Sequence, residues 1–214
     1  MNTDIKLKLE LTGKGNSYFL YNGTEKYFEK LRSAYLDIKN DKVNDYLYFS
    51  FVTLCASTLE YSLNFILACY CVDSFSIESY RNYLEQFISI KFRNKILLLP
   101  HIISDGKFIL NEDSQTFKQL SELVAVRNKI LHNKEFLKAF DSGIKLDVVD
   151  GEIFVPVGME EISFSFETEP NIIDKIDKKM CLDFADALGD FKAFVMAPYL
   201  DNSLSENHLI TLKK

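Results

Sequence analysis

The sequence predicts a mainly α protein, a helical bundle with a small antiparallel β addition. Three observations carry this. Glycine and proline are scarce, with 8 and 4 among 214 residues, which favours long regular elements over loops. Between these breakers, apolar residues recur at three- and four-residue steps, the period of a helix with one buried face. Near the N-terminus and around Asp150-Gly151 the pattern changes to strict alternation, the period of a half-buried strand.

In chain order, residues 4 to 11 alternate, with Ile5, Leu7, Leu9 and Leu11 on one side. Gly13 and Gly15 allow a turn, and Tyr18 to Tyr21 returns as a short strand, so 4–21 forms one β addition. Thr24 is the expected cap of a helix carrying Tyr27, Phe28, Leu31, Ala34, Tyr35 and Ile38 on one face. Tyr46 to Val72 is the most hydrophobic stretch, long enough to span a bilayer. Yet Glu60 sits at its centre, where a carboxylate is costly in lipid. Ser50, Thr53, Ser57, Glu60 and Asn64 follow at steps of three and four, on a single helical edge. A central helix enclosed by other helices explains this pattern, and no membrane association is expected.

Glu78 to Leu98 reads as one helix or two, stopped by Pro100. RNKIL occurs at Arg93 to Leu97 and again at Arg127 to Leu131, but the flanking residues differ and no repeat is implied. Asp105-Gly106 is a turn, and Asp113 or Ser114 caps the next helix. After Gly143, IKLDVVDGEIFVPV is a hairpin around Asp150-Gly151. Ile162, Phe164 and Phe166 alternate too, making 144–167 a second β addition that joins the N-terminal strand in a small sheet. Pro170 and Asn171 open a long helix from Ile172 to about Ala197, and residues 201–214 read as a loosely held tail. The whole chain, 1–214, reads as one domain, large enough to bury a core without staples.

A net charge of −6 and a pI near 5.2 exclude a general nucleic-acid binder with a basic surface. Any polyanion has to be gripped locally, and Arg127, Lys129, Lys134 and Lys138 are the candidates. Cys55, Cys69, Cys71 and Cys181 lack CxxC spacing and read as reduced, packed residues of a cytoplasmic protein. His101, His132 and His208 are far apart and without nearby ligand pairs, so no metal or other cofactor is expected. The N-terminus carries no apolar run of the signal-peptide kind.

The chemistry concentrates in LSELVAVRNKILHN, Leu120 to Asn133. Phe117, Leu120, Leu123, Val124, Ile130 and Leu131 form an apolar stripe, and Arg127 falls inside it. A guanidinium there must be paired, solvated or at an interface. Asn128 and His132, four residues apart, flank the stripe. At ~100° per residue Arg127 and His132 stand roughly 140° apart, and converge only if the arginine bends or the helix ends. The plain alternative is an arginine snorkelling beside an ordinary surface histidine. Glu60 is the other charge stranded on a core helix, so a Glu60–Arg127 ion pair is expected.

Arg127-Asn128-Lys129-Ile130-Leu131-His132 resembles the motif of the HEPN domain family (higher eukaryotes and prokaryotes nucleotide-binding): an arginine, four to six variable residues of which the first is usually polar, then a histidine. The apolar STLEYSLNFIL segment with Glu60, and KFRNKILLLP upstream of the motif, are similar in context. The resemblance covers 24–140 with the helix in 171–200, which would be the HEPN-like helical core. It implies a homodimer whose motif helices meet in a shared cleft, with RNA as substrate and no cofactor. It also implies metal-independent endoribonuclease activity in toxin–antitoxin, abortive-infection (phage defence) or RNA-processing systems, restrained by an antitoxin or neighbouring effector. Arg127, His132 and Asn128 would be catalytic, Glu60 and Asn64 supporting, and Lys129 and Lys134 would touch RNA. One toxin branch carries a tyrosine where Lys134 stands here, a tyrosine modified by a partner nucleotidyltransferase. Some family members are catalytically silent modules that dimerise or bind a nucleotide or a partner, the alternative reading.

Overall fold

Tyr48 to Ser74 forms one helix (α2), and the rest of the molecule is arranged around it. In the computed structural model the chain is described over residues 20–76, 79–131, 147–149, 152–154 and 172–213, with the two short β segments by backbone alone. Val52, Cys55, Leu59, Leu63, Ile66 and Cys71 of α2 are fully buried. These lie mostly on one face, but Thr58, Phe65, Ala68 and Val72 on the opposite side are buried too, so a single packing partner cannot cover the helix. Five helices do: α1 (Thr24–Lys39), α3 (Tyr80–Ser89), α4 (Phe92–Ile103), α5 (Gln115–Leu131) and α6 (Lys178–Phe191). Although α2 is long and apolar enough to cross a bilayer, 67% of its most apolar stretch lies inside this bundle. Its buried hydroxyls stay within the helix: Thr58 and Ser62 donate to the carbonyls of Leu54 and Thr58, each at 2.8 Å.

The fold is mainly helical with minor antiparallel β structure, the class the sequence predicts. Phe117, Leu120, Leu123 and Val124 of α5 are buried as expected, and so is Val126. Leu131, assigned to the same stripe, is instead 50% exposed. Ser114 caps α5, its hydroxyl accepting from the Phe117 amide at 3.2 Å. The thiols of Cys55, Cys69, Cys71 and Cys181 are all buried, and burial pushes Cys71 up to about 11 and Cys181 to about 12.

Several boundaries differ from expectation. Thr24 does not cap α1. Its amide and hydroxyl both reach Asn22 Oδ1, so the acceptor lies two residues upstream. Pro100 does not stop α4, which continues to Ile103. A proline lacks only its own N–H, and here the helix has one turn left to run. Pro100 packs into the core, and α4 closes through the Gly106 amide on the His101 carbonyl, with Gly106 at φ 84. The expected long helix from Ile172 is broken. A 3₁₀ turn, Ile172–Lys175, precedes Asp177, whose carboxylate accepts from the Met180 amide at 2.7 Å and starts α6. A wider π turn, Lys192–Met196, then leads into α7 (Ala197–Leu200).

The tail is not loose. Residues 210–212 form β4, which pairs antiparallel with β1 (Phe108–Leu110), Ile109 opposite Thr211. Leu209 and Ile210 are fully buried, so the pairing is held by packing as well as by backbone bonds. The hairpin expected around Asp150-Gly151 is present as β2 (Asp147–Val149) and β3 (Glu152–Phe154), Val148 opposite Ile153. The expected strands at 4–11 and 162–166 lie outside the described residues.

Candidate functional site

α2 and α5 cross where Glu60 meets Arg127. The expected ion pair is there: Arg127 Nη2 lies 3.6 Å from Glu60 Oε2, with the two side chains 25% and 36% exposed. At that separation it is a charge contact rather than the short, parallel pair of bonds of a bidentate arginine. The other arm of the guanidinium, Nη1, donates to Asn128 Oδ1 at 3.0 Å. Arg127 is therefore steadied from both sides while its edge remains partly open to solvent.

One turn beyond Glu60 on the same edge of α2 stands Asn64. Its Oδ1 accepts from Lys95 Nζ at 2.8 Å. Lys95 comes from α4 and is only 3% exposed. Burial lowers its pKa, and the nearby Glu60 carboxylate acts in the opposite direction. One carboxylate thus serves two cations, and the cluster Glu60, Asn64, Lys95, Arg127 and Asn128 carries a net positive charge within an acidic protein. Chemically, such a cluster suits an oxyanion: the guanidinium offers planar donors, and the ammonium adds charge in a poorly solvated place.

The structure brings together Glu60, Asn64, Arg127 and Asn128 of the expected site residues. Lys129 is exposed and forms no part of the cluster, while His132 and Lys134 lie outside the described residues. Lys95 was not expected. It sits in KFRNKILLLP, four residues before the buried Leu99, just as Arg127 sits four after the buried Leu123. A cation on a core face was the usable signal in both cases. The two RNKIL copies confirm how little the pentapeptide means alone: Lys95 is buried and Lys129 exposed.

Elsewhere, Phe28, Leu31, Arg32, Tyr35, Ala185, Asp186 and Gly189 line a cleft of about 280 Å³ between α1 and α6, with no residue in common with this cluster. Asp190 of α6 accepts from Thr116 Oγ1 at 2.7 Å and lies 3.6 Å from His208 Nε2. The aspartate stands between the hydroxyl and the imidazole, so the order is not the hydroxyl–imidazole–carboxylate arrangement of nucleophilic catalysis. Among the described residues no three His, Cys, Asp or Glu side chains converge as a metal site. No protein-family model matches the chain, and neither a curated protein nor a solved structure is significantly similar to it.

Proposed function

We propose that this protein is a metal-independent endoribonuclease of the HEPN type, acting as a homodimer through the helix that carries Arg127 and His132. The observation that supports it is Arg127 itself: a half-buried guanidinium, steadied by Glu60 and Asn128, in a locally positive cluster of an acidic protein. In this reading Arg127 grips the scissile phosphate and stabilises the charge that grows on it. The ribose 2′-hydroxyl attacks phosphorus, forming the O2′–P bond as the P–O5′ bond breaks. His132 takes the 2′ proton or returns one to the leaving 5′-oxygen, chemistry suited to an imidazole near neutral pH. Asn128 orients the guanidinium. The products are a 2′,3′-cyclic phosphate and a 5′-hydroxyl. A toxin–antitoxin, abortive-infection or RNA-processing setting, with an antitoxin or neighbouring effector as restraint, belongs to the same reading, as does a cytoplasmic location.

The test is cleavage of a mixed RNA pool with EDTA present, comparing wild type with His132→Ala. Cyclic-phosphate ends from the wild type and none from the variant are expected. Equal cleavage by both, or by neither, removes the proposal.

A second reading is favoured by one observation: both arms of the Arg127 fork are already engaged within the chain. An arginine so occupied also suits a silent module that dimerises or binds a partner. Sedimentation of wild type and Arg127→Gln, alongside the RNA assay, separates the two. A stable dimer with no cleavage is the silent module.

A further inference from the structure

The polar edge of α2 leads from Glu60 directly to a second group of side chains. Tyr61 follows Glu60 in sequence, so it points about 100° further around the helix, away from α5 and toward the start of α1. There its ring stacks on Tyr27, with centroids 4.6 Å apart and planes 25° from parallel. The two helices approach this closely because residue 23 is glycine. A Cβ at Gly23 would lie 2.6 Å from Tyr61 Oη, and the Gly23 amide donates to that oxygen at 3.2 Å. Tyr21 completes the group, with its ring edge against Gly23, half of its surface exposed, and Lys26 Nζ 5.5 Å from its centroid.

We infer that Tyr21, Tyr27 and Tyr61 form a stacking site for an unpaired base of single-stranded RNA whose neighbouring phosphate lies at Arg127. The nature of the strand rests on the proposed ribonuclease function. The stacking site itself rests on the tyrosine geometry. Packing of α1 on α2 needs apolar side chains, and further along α1 it has them in the buried Leu31 and Ile38. At this end the helices instead present three half-exposed or exposed hydroxylated rings and a lysine. Aromatic faces accept any base, and an adjacent cation meets the phosphate charge. Ser57 lies one turn before Tyr61 and is exposed, leaving the edge of α2 between the rings and the Arg127 cluster open to a strand. Charge favours the same occupant: Lys26 stands at one end, with the partly exposed Arg127 at the other.

The test uses the full chain and a 2′-O-methyl RNA octamer, which cannot be cut, carrying one 2-aminopurine. The protein has no tryptophan, so its own emission reports tyrosines. Saturable quenching of 2-aminopurine together with tyrosine emission is expected. Tyr21→Ala and Tyr27→Leu should each weaken binding roughly ten-fold, Tyr61→Phe should retain it, and Arg127→Gln should weaken it while leaving full quenching at saturation. Binding without a change in emission, absence of binding, or wild-type affinity in a folded Tyr21→Ala/Tyr27→Leu double variant overturns the inference. Quenching without cleavage of ordinary RNA upholds the stacking site and removes the nuclease reading. Cleavage without quenching does the reverse.

Discussion

Glu60→Gln removes the only negative charge of the cluster and keeps its shape. Two cations lose their counter-charge at once. The Arg127 contact is partly solvated, so its loss contributes about 0.5–1 kcal/mol. Lys95 is more serious, because its ammonium is left buried with the Asn64 carbonyl oxygen as its hydrogen-bond partner among the described residues. A buried charged donor in that position costs about 1–2 kcal/mol more. The sum, about 2 kcal/mol, lowers the melting temperature of a chain of this size by about 4–8 °C. The deficit also depends on pH. Burial holds the Lys95 pKa below its ordinary 10.5, so the folded protein releases this proton before the unfolded chain does. The cost of burying the charge is fully present at neutral pH and is relieved as pH rises toward 10.5. Removing the Glu60 charge lowers the folded pKa further, so relief begins at lower pH in the variant. Urea unfolding at pH 7 and pH 10 measures this: the deficit should be largest at pH 7 and smaller at pH 10. The double variant Glu60→Gln/Lys95→Met should lose less than the two single losses added, by about 1 kcal/mol. A deficit below about 0.5 kcal/mol at pH 7, or one equal at both pH values, refutes the shared counter-charge.

Leu209→Ala should lower stability by about 2–4 kcal/mol, since Leu209, just before β4, is fully buried and its amide is held by Asn207 Oδ1. Thermal melting and proteolysis at the C-terminal end measure it, and a change under about 0.5 kcal/mol would restore the view of a loose tail. Asp177→Ala should lower stability by about 1 kcal/mol through loss of the α6 cap, whereas Asp177→Asn should retain most of it.

Most of the helical architecture was legible because burial on one face leaves a period in the sequence. In α2, five polar residues on one line mark a core helix where apolar length alone suggests a membrane span. The same logic paired Glu60 with Arg127 across sixty-odd positions, since two charges on core faces need each other. Lys95 carries the same signature, a cation four residues from a buried leucine, but no motif surrounds it. Pro100 forbids one hydrogen bond and not a helix, and its place near the end of α4 made that loss small. Conversely the apolar period over Ile172 to Ala197 hides a break: Ile176, Phe184, Leu188, Phe191 and Val195 are buried, but Ile173 in the 3₁₀ turn is 48% exposed.

The sequence by itself determined the class, the central helix, the hairpin and the charged pair. Each follows from local periodicity or from the cost of an isolated charge. The tertiary structure alone decided that residues 210–212 pair with residues 108–110, that Lys95 joins Glu60 and Asn64, and that three tyrosines gather at Gly23. These depend on how separate helices approach one another, and a three-residue strand or a single lysine leaves no period by which to find it.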